Sequence, residues 1–268
     1  MERTRLGIWI ALFAVLALVA CGGVGYAYPS LQAATGCVQT PSPEVVPAGQ
    51  YDLAVDYTKL SGDDDVKVWP IRLVGGASER AELGIAYTRF KADEGDSGRL
   101  TGVGGKYLVW MEPEDPYSLA VGAEYADLGG DLESAAGLSN ITRVYAVLGK
   151  DLTPEPGIYE EPSSTRAYGY VGLMYTRAAN TDTTTSTRPF IGLEMVGEGG
   201  GSLALEWKSE EFGEDVTSAV LRYQFNPTMM GQIGMTKNLG GLDVSDSHRV
   251  FVGLSYRFGL PQEEEWEW

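Results

Sequence analysis

The sequence predicts an all-β fold, an up-and-down antiparallel transmembrane β-barrel of about twelve strands. Apolar residues alternate with small or polar ones at the strand period from Tyr51 to Phe258. Glycine fills 35 of the 268 positions, a load that helices tolerate poorly and that curved sheets use freely. Tight turns tend to alternate with longer polar loops, as they do in barrels that cross a bilayer, although the first connection (SGDDD) and the sixth (LTPEPGIYEEPSST) do not follow this pattern.

Residues 1–33 have the form of an export signal that runs into the start of a linker. Two arginines precede an uninterrupted apolar run from Leu6 to Ala20. Three processing routes stay open. Cys21 ends a stretch that resembles the lipobox of bacterial lipoproteins and would then be lipidated. An ordinary cleavage near Ala27 or Ala33 would remove the signal, and an uncleaved anchor is the third route.

Residues 34–50 are rich in Pro, Thr, Gly and Ala and have no usable periodicity. This composition predicts a flexible linker between the signal and the barrel of residues 51–258.

Charge and cysteine content exclude several kinds of site. The formal net charge of −17 argues against nucleic acid as a partner, because phosphate binding needs clustered Lys and Arg. Both cysteines, Cys21 and Cys37, precede the first strand. The barrel therefore has no disulfide of its own, and a metal site built on cysteines is excluded by count.

The first five predicted strands each set an apolar face against a small or polar face. Their apolar residues are Tyr51, Leu53, Val55 and Tyr57; Trp69, Ile71 and Leu73; Leu83, Ile85 and Tyr87; Val103, Tyr107 and Val109; and Tyr117, Leu119, Val121 and Tyr125. Pro70 fits poorly in a central strand and points to a local bulge in the second one. The sixth strand, near residues 141–148, is apolar on both faces, so its register stays open.

The remaining strands repeat the pattern. Their apolar faces are Val171, Leu173 and Tyr175; Ile191, Leu193 and Met195; Leu203, Leu205 and Trp207; Leu221, Tyr223 and Phe225; Met229, Ile233 and Met235; and Val250, Val252, Leu254, Tyr256 and Phe258. We expect the last strand to pair with the first, over Tyr51 to Thr58, and so to close the barrel. An even number of strands then places both ends of the barrel chain at one rim.

The second face distinguishes a membrane barrel from a soluble sandwich. A sandwich would show long charged side chains to water, whereas this face is largely Gly, Ala, Ser and Thr with single charges between them. Small residues with interspersed charges fit a confined wet lumen. The charges that we expect to line it are Asp52, Asp56, Arg72, Lys106, Glu124, Glu194, Glu206, Lys208, Arg222 and Arg257.

Aromatic residues lie toward strand ends, where a membrane barrel carries two girdles at headgroup depth. The alternative is that Tyr is simply a good strand former. The residues expected at the lipid interface are Tyr51, Tyr57, Trp69, Tyr87, Tyr107, Tyr125, Trp207, Tyr256 and Phe258.

Taken together, the export signal, the alternating strands, the asymmetry of turns and loops and the final Tyr256-Arg257-Phe258 resemble a Gram-negative-type outer-membrane β-barrel. The resemblance is to the class and covers residues 51–258. It implies a location in the cell outer membrane, with membrane lipids, the barrel-insertion machinery and small solutes or ions as partners. Residues 259–268 form an acidic, aromatic tail where such chains usually end, so either Phe258 acts from an internal position or Trp268 replaces it.

Within this class we expect a passive, porin-like channel with a weak cation preference. The alternative is a non-conducting structural or surface-interaction barrel whose lumen is plugged by its own side chains, and a soluble periplasmic β-protein is the third hypothesis. No cofactor, metal or enzymatic activity is expected. The single histidine, His248, follows Ser247 at a strand end. Successive side chains there point to opposite faces, so these two residues are poorly placed to form a nucleophile–base pair.

Overall fold

The structure, a computed structural model, describes residues 33–60, 66–92, 97–131, 138–153, 165–179, 183–197, 199–209, 215–239 and 248–259. Residues 1–32, with the export signal and Cys21, lie outside the described residues, as does the tail from residue 260. Helices of the length and apolar character needed to cross a membrane are not found in the described ranges.

Twelve strands form one closed antiparallel barrel, which confirms the predicted fold class. The strands are β1 Gln50–Leu60, β2 Val66–Ser78, β3 Ala81–Ala92, β4 Ser97–Trp110, β5 Ser118–Gly130, β6 Asn140–Asp151, β7 Thr165–Ala179, β8 Thr184–Gly197, β9 Gly201–Lys208, β10 Asp215–Asn226, β11 Met229–Leu239 and β12 His248–Gly259. Each strand pairs with its neighbours in sequence, so the topology is up-and-down.

The barrel closes between its first and last strands, as predicted. β1 and β12 pair in unbroken register from Gln50↔Gly259 to Leu60↔Arg249. The rings of Tyr51 and Phe258 stack across this seam with centroids 5.5 Å apart. The two ends of the barrel chain therefore share one rim, which we call the terminal rim, and the opposite end is the loop rim.

The connections follow the predicted asymmetry only in part. Two-residue turns at the terminal rim join β2 to β3 and β10 to β11, but residues 152–164 make a long connection at the same rim. The Thr-rich stretch expected to be a long loop after the seventh strand is mostly strand, with only residues 180–183 between β7 and β8. Its β-branched threonines favour extended backbone, which explains the difference.

The structure settles two points that the sequence leaves open, a bulge at Pro70 in β2 and the register of β6. Pairing of β2 with β1 runs from Gly75 to Ile71 and resumes at Val68 in the same register, so Pro70 interrupts the ladder without a bulge there. In β6, Tyr145 and Val147 face the lumen, while Val144 lies on the exposed exterior.

Apolar side chains cover the exterior of the barrel. The predicted outer faces are exposed along the strands, with Leu83 at 64% and Leu173 at 56% of full exposure. Soluble monomers rarely expose contiguous apolar patches larger than a few hundred Å². This exterior therefore suits lipid rather than water, as expected for a transmembrane barrel.

Four inward-facing aromatic rings each lie over a glycine on the adjacent strand. The directly opposed pairs are Tyr145 with Gly122, Tyr170 with Gly192, Phe190 with Gly172, and Phe251 with Gly234. A Cβ on any of these glycines would overlap the facing ring. The glycines thus create the space in which large rings fill the lumen.

Substituting Gly192→Ala should lower the stability of the folded barrel, because the new methyl group would displace the Tyr170 ring. Overpacking of this kind costs about 1–3 kcal/mol. The measurement is the temperature at which the folded, faster-migrating band is lost on a gel. The matched control is Gly102→Ala, whose Cβ would meet its nearest neighbours at ordinary distances of 3.4 and 3.8 Å. Equal loss of stability in both variants would contradict this account.

Candidate functional site: the barrel lumen

The structure brings all ten predicted lumen charges into the barrel interior. Nine are buried on inward faces, and the tenth, Arg257, is largely enclosed beside Asp52. They come from eight different strands, so the closed topology alone assembles them. The nine predicted interface aromatics lie instead on the outer faces. Tyr51, Tyr107, Tyr256 and Phe258 are near the terminal rim, and Tyr57, Trp69, Tyr87, Tyr125 and Trp207 are toward the loop rim.

The expectation of a flexible linker needs correction, because residues 33–46 lie inside the barrel and residues 47–49 lead from there to β1. We call residues 33–49 the lumen segment. Thr35, Thr40 and Val46 are fully buried. Gly49 has a φ of 73°, a conformation that favours glycine, and it turns the chain from the lumen into β1. The segment can be buried at low electrostatic cost because Glu44 is its only charged residue.

Residues 35–42 of the lumen segment form a small hairpin. The Cys37 amide donates to the Thr40 carbonyl at 3.0 Å, and the Ser42 amide donates to the Thr35 carbonyl at 3.2 Å. Other backbone groups of this hairpin point toward the barrel wall, where charged side chains meet them.

Glu206 on β9 binds the tip of the hairpin. Its carboxylate accepts hydrogen bonds from the successive amides of Val38, Gln39 and Thr40 at 2.9–3.2 Å. The Thr40 hydroxyl donates to the same carboxylate at 2.8 Å. Hydrogen bonds to a charged acceptor are worth roughly 1.5–3 kcal/mol each. Glu206 is therefore the main anchor of the hairpin tip.

Glu82 on β3 binds the base of the hairpin. It accepts from the Thr35 amide at 2.8 Å and from the Val46 amide at 3.0 Å. Lys106 lies 3.1 Å from the same carboxylate and donates to the carbonyls of Thr35 and Ser42 at 3.0 Å. Glu82 is not among the lumen charges expected from the sequence. Its role depends on contacts with Thr35 and Val46, and the alternation of β3 does not reveal them.

Arg222 on β10 also binds the segment. Its guanidinium donates to the carbonyl of Cys37 and, at 3.3 Å, to that of Gly36. It also pairs with Glu194 at 2.8 Å. The wall thus offers carboxylates to the segment's amides and cations to its carbonyls.

Other lumen charges pair with one another across the wall. Asp56 pairs with Arg72 and accepts from the Gln232 side-chain amide at 2.6 Å. Asp52 and Arg257 form a two-pronged pair at 2.6 and 2.7 Å. Bidentate carboxylate pairs of this kind hold both groups in fixed orientation.

One side of the lumen is lined by apolar rather than polar side chains. Cys37 and Val38 of the segment pack in a buried cluster with Leu108, Val147 and Phe190, among others. This cluster explains why the sixth strand is apolar on both faces: one face meets the exterior and the other meets the lumen segment.

Cavities lie on both sides of the segment. Ala33 and Gln39 line a cavity of about 290 Å³ toward the loop rim. Pro43 and Glu44 line another of about 480 Å³ at the terminal rim. The segment therefore separates two vestibules.

The described residues contain no group of three or more His, Cys, Asp or Glu side chains placed to hold a metal ion. The side chain of His248 lies outside the described residues. The expectation that it has no catalytic role stays a prediction.

Solved structures share the barrel fold of this chain. An outer membrane channel from Pseudomonas putida F1 aligns with a TM-score of 0.57 at 13% identity, over 82% of this chain and 100% of that one. The NanC porin aligns with a TM-score of 0.55 at 12% identity, over 76% of this chain and 98% of that one. Comparisons with family models and with curated proteins found no match. At these identities the likeness shows the fold of an outer-membrane β-barrel.

Cys37 reports on the position of the lumen segment. Its side chain is buried, so a bulky maleimide should label the Cys37 peptide slowly in the folded barrel and fully after denaturation. Glu206→Gln should speed labelling of the folded protein, because it weakens the anchor. The readout is peptide mass spectrometry. Rapid labelling of folded wild-type protein would place the segment outside the lumen.

Proposed function

We propose that this protein is a passive outer-membrane channel for small solutes or ions whose bore is set by the lumen segment. The observation that carries the proposal is a closed barrel with an apolar exterior and an interior in which one segment separates two cavities. The barrel supplies the path across the membrane, and the segment limits what passes.

The two groups of exterior aromatics would act as girdles at the two membrane interfaces. Paired rings support this role, since Tyr57 and Trp69 lie 5.8 Å apart near the loop rim and Tyr256 and Phe258 lie 6.0 Å apart near the terminal rim. Aromatic rings at headgroup depth are a general feature of membrane barrels. Insertion of such a barrel would need the insertion machinery, with Phe258 as the terminal aromatic of the last strand.

Selectivity in this proposal comes from charged groups that do not contact the lumen segment. The pairs formed by Asp52 and Asp56 with arginines balance the wall locally. The net charge of −17 makes the surroundings of the barrel electronegative, which favours cations over anions at its mouths. A weak cation preference follows.

The filled lumen also favours a second candidate, a non-conducting barrel with a structural or interaction role. In that case the lumen segment would be a permanent part of the core. Conductance separates the two candidates, because only the channel passes current.

Glu206→Gln should increase the conducting fraction of the protein in planar bilayers. Loss of one charge-assisted hydrogen bond weakens the docked segment by about 1.5–3 kcal/mol, which corresponds to roughly a tenfold to hundredfold shift. We expect brief or small current steps from wild-type protein and longer, larger ones from the variant.

The matched control is Glu114→Gln. This residue is exposed at the terminal rim, where it pairs with Arg80 at 2.8 Å. Its currents should equal those of the wild type. If neither the wild type nor Glu206→Gln carries current while both migrate as folded barrels, the non-conducting candidate replaces the channel.

A further inference from the structure

The cavity toward the loop rim has the features of a ligand site. Its volume of about 290 Å³ lies just below the range for drug-sized ligand pockets, about 300–1,000 Å³, so it suits a smaller molecule. Its walls come from eight strands and from Ala33 and Gln39 of the lumen segment. A solute of amino-acid size would fit inside it.

Glu124 on β5 supplies an unused acceptor in this cavity. The residue is only 6% exposed, and among the described residues no donor lies within hydrogen-bond distance of its Oε1 atom. A buried carboxylate oxygen without a donor has lost its hydration and gained no hydrogen bond in return, which is unfavourable. The position of this carboxylate in the cavity wall points to a donor brought by a ligand.

Arg143 on β6 provides a cation beside that carboxylate. It is the residue directly opposite Glu124 in the β5–β6 ladder, so the backbone fixes the spacing of the pair. Its Nη1 atom lies 3.8 Å from Glu124 Oε2, beyond hydrogen-bond distance, and its side chain is 23% exposed. The carboxylate of Glu124 and the guanidinium of Arg143 therefore lie next to each other, and each has room to bind a ligand group of opposite charge.

The rest of the wall suits a short aliphatic group. Phe90, Leu100 and Phe251 contribute apolar surface. Polar side chains complete the lining, and these are Gln39, Thr58, Thr88, Thr236 and Arg249. Since none of them is an acid, Glu124 is the only carboxylate among the described residues that line the cavity.

We propose that this cavity binds a small zwitterion with a short apolar side chain, of the amino-acid class. The ammonium group would donate to Glu124 Oε1, and the carboxylate would accept from Arg143. A neutral polyol would bring no opposite charge to either residue. The inference names the solute class of the proposed channel and rests on that function only for its biological role, because binding itself needs no current.

The test is calorimetric titration of the folded, detergent-solubilised full chain with L-valine and two analogues that each lack one charged group. Isobutylamine keeps only the ammonium group, and isovalerate keeps only the carboxylate. We expect saturable binding of valine and at least tenfold weaker binding of either analogue. Absence of saturable valine binding, or equal affinity for all three compounds, would overturn the proposal.

Variants assign the two contacts. Glu124→Gln should weaken valine and isobutylamine binding at least tenfold, whereas Arg143→Gln should weaken valine and isovalerate and spare isobutylamine. Asp127→Asn is the matched control, since Asp127 lies on the same strand with its side chain exposed on the outer face. If Glu124→Gln fails to fold, the analogue series and Arg143→Gln still decide the matter.

Binding and conduction can fail separately. Valine binding without current would support this site and contradict the channel. Current without valine binding would support the channel and contradict this site.

Discussion

The contact between the Glu206 carboxylate and three successive backbone amides explains why the lumen is built as it is. A segment enclosed by a barrel loses bulk water, and every buried N–H and C=O must then find a partner. Glu206 and Glu82 accept hydrogen bonds from the amides of the segment. Lys106 and Arg222 donate to its carbonyls. The wall charges are therefore arranged around a peptide backbone as much as around one another.

The same requirement shapes the small residues of the wall. Gly76 and Gly84 lie against carbonyls of the lumen segment, and a Cβ at either position would overlap them. On the other side of the lumen, glycines make room for aromatic rings. The high glycine content thus has two uses, close approach of the segment and packing of rings, and both fill an interior that would otherwise be an open pore.

The strands and their faces could be predicted because alternation is a local signal. Residues two apart share a face whatever the rest of the chain does, so Asp56 and Arg222 could be placed inside and Leu83 outside. The lumen segment could not be predicted in this way. It has no period, and its burial depends on contacts between positions as distant as Val38 and Glu206. Its lack of charge between Ala33 and Pro43 was the available signal, since exposed linkers usually carry charged residues.

The most direct test of the account is a disulfide between the lumen segment and the wall. A Cβ on Gly104 would lie 3.5 Å from that of Ala33, a separation that a disulfide can span. The measurement is peptide mass spectrometry of the oxidised, folded Ala33→Cys/Gly104→Cys protein with Cys37 replaced by Ser. The account predicts a cross-link there and none when Val103→Cys, on the outer face of the same strand, replaces Gly104→Cys. A folded barrel in which the two introduced cysteines of the Ala33→Cys/Gly104→Cys protein stay unlinked would contradict it.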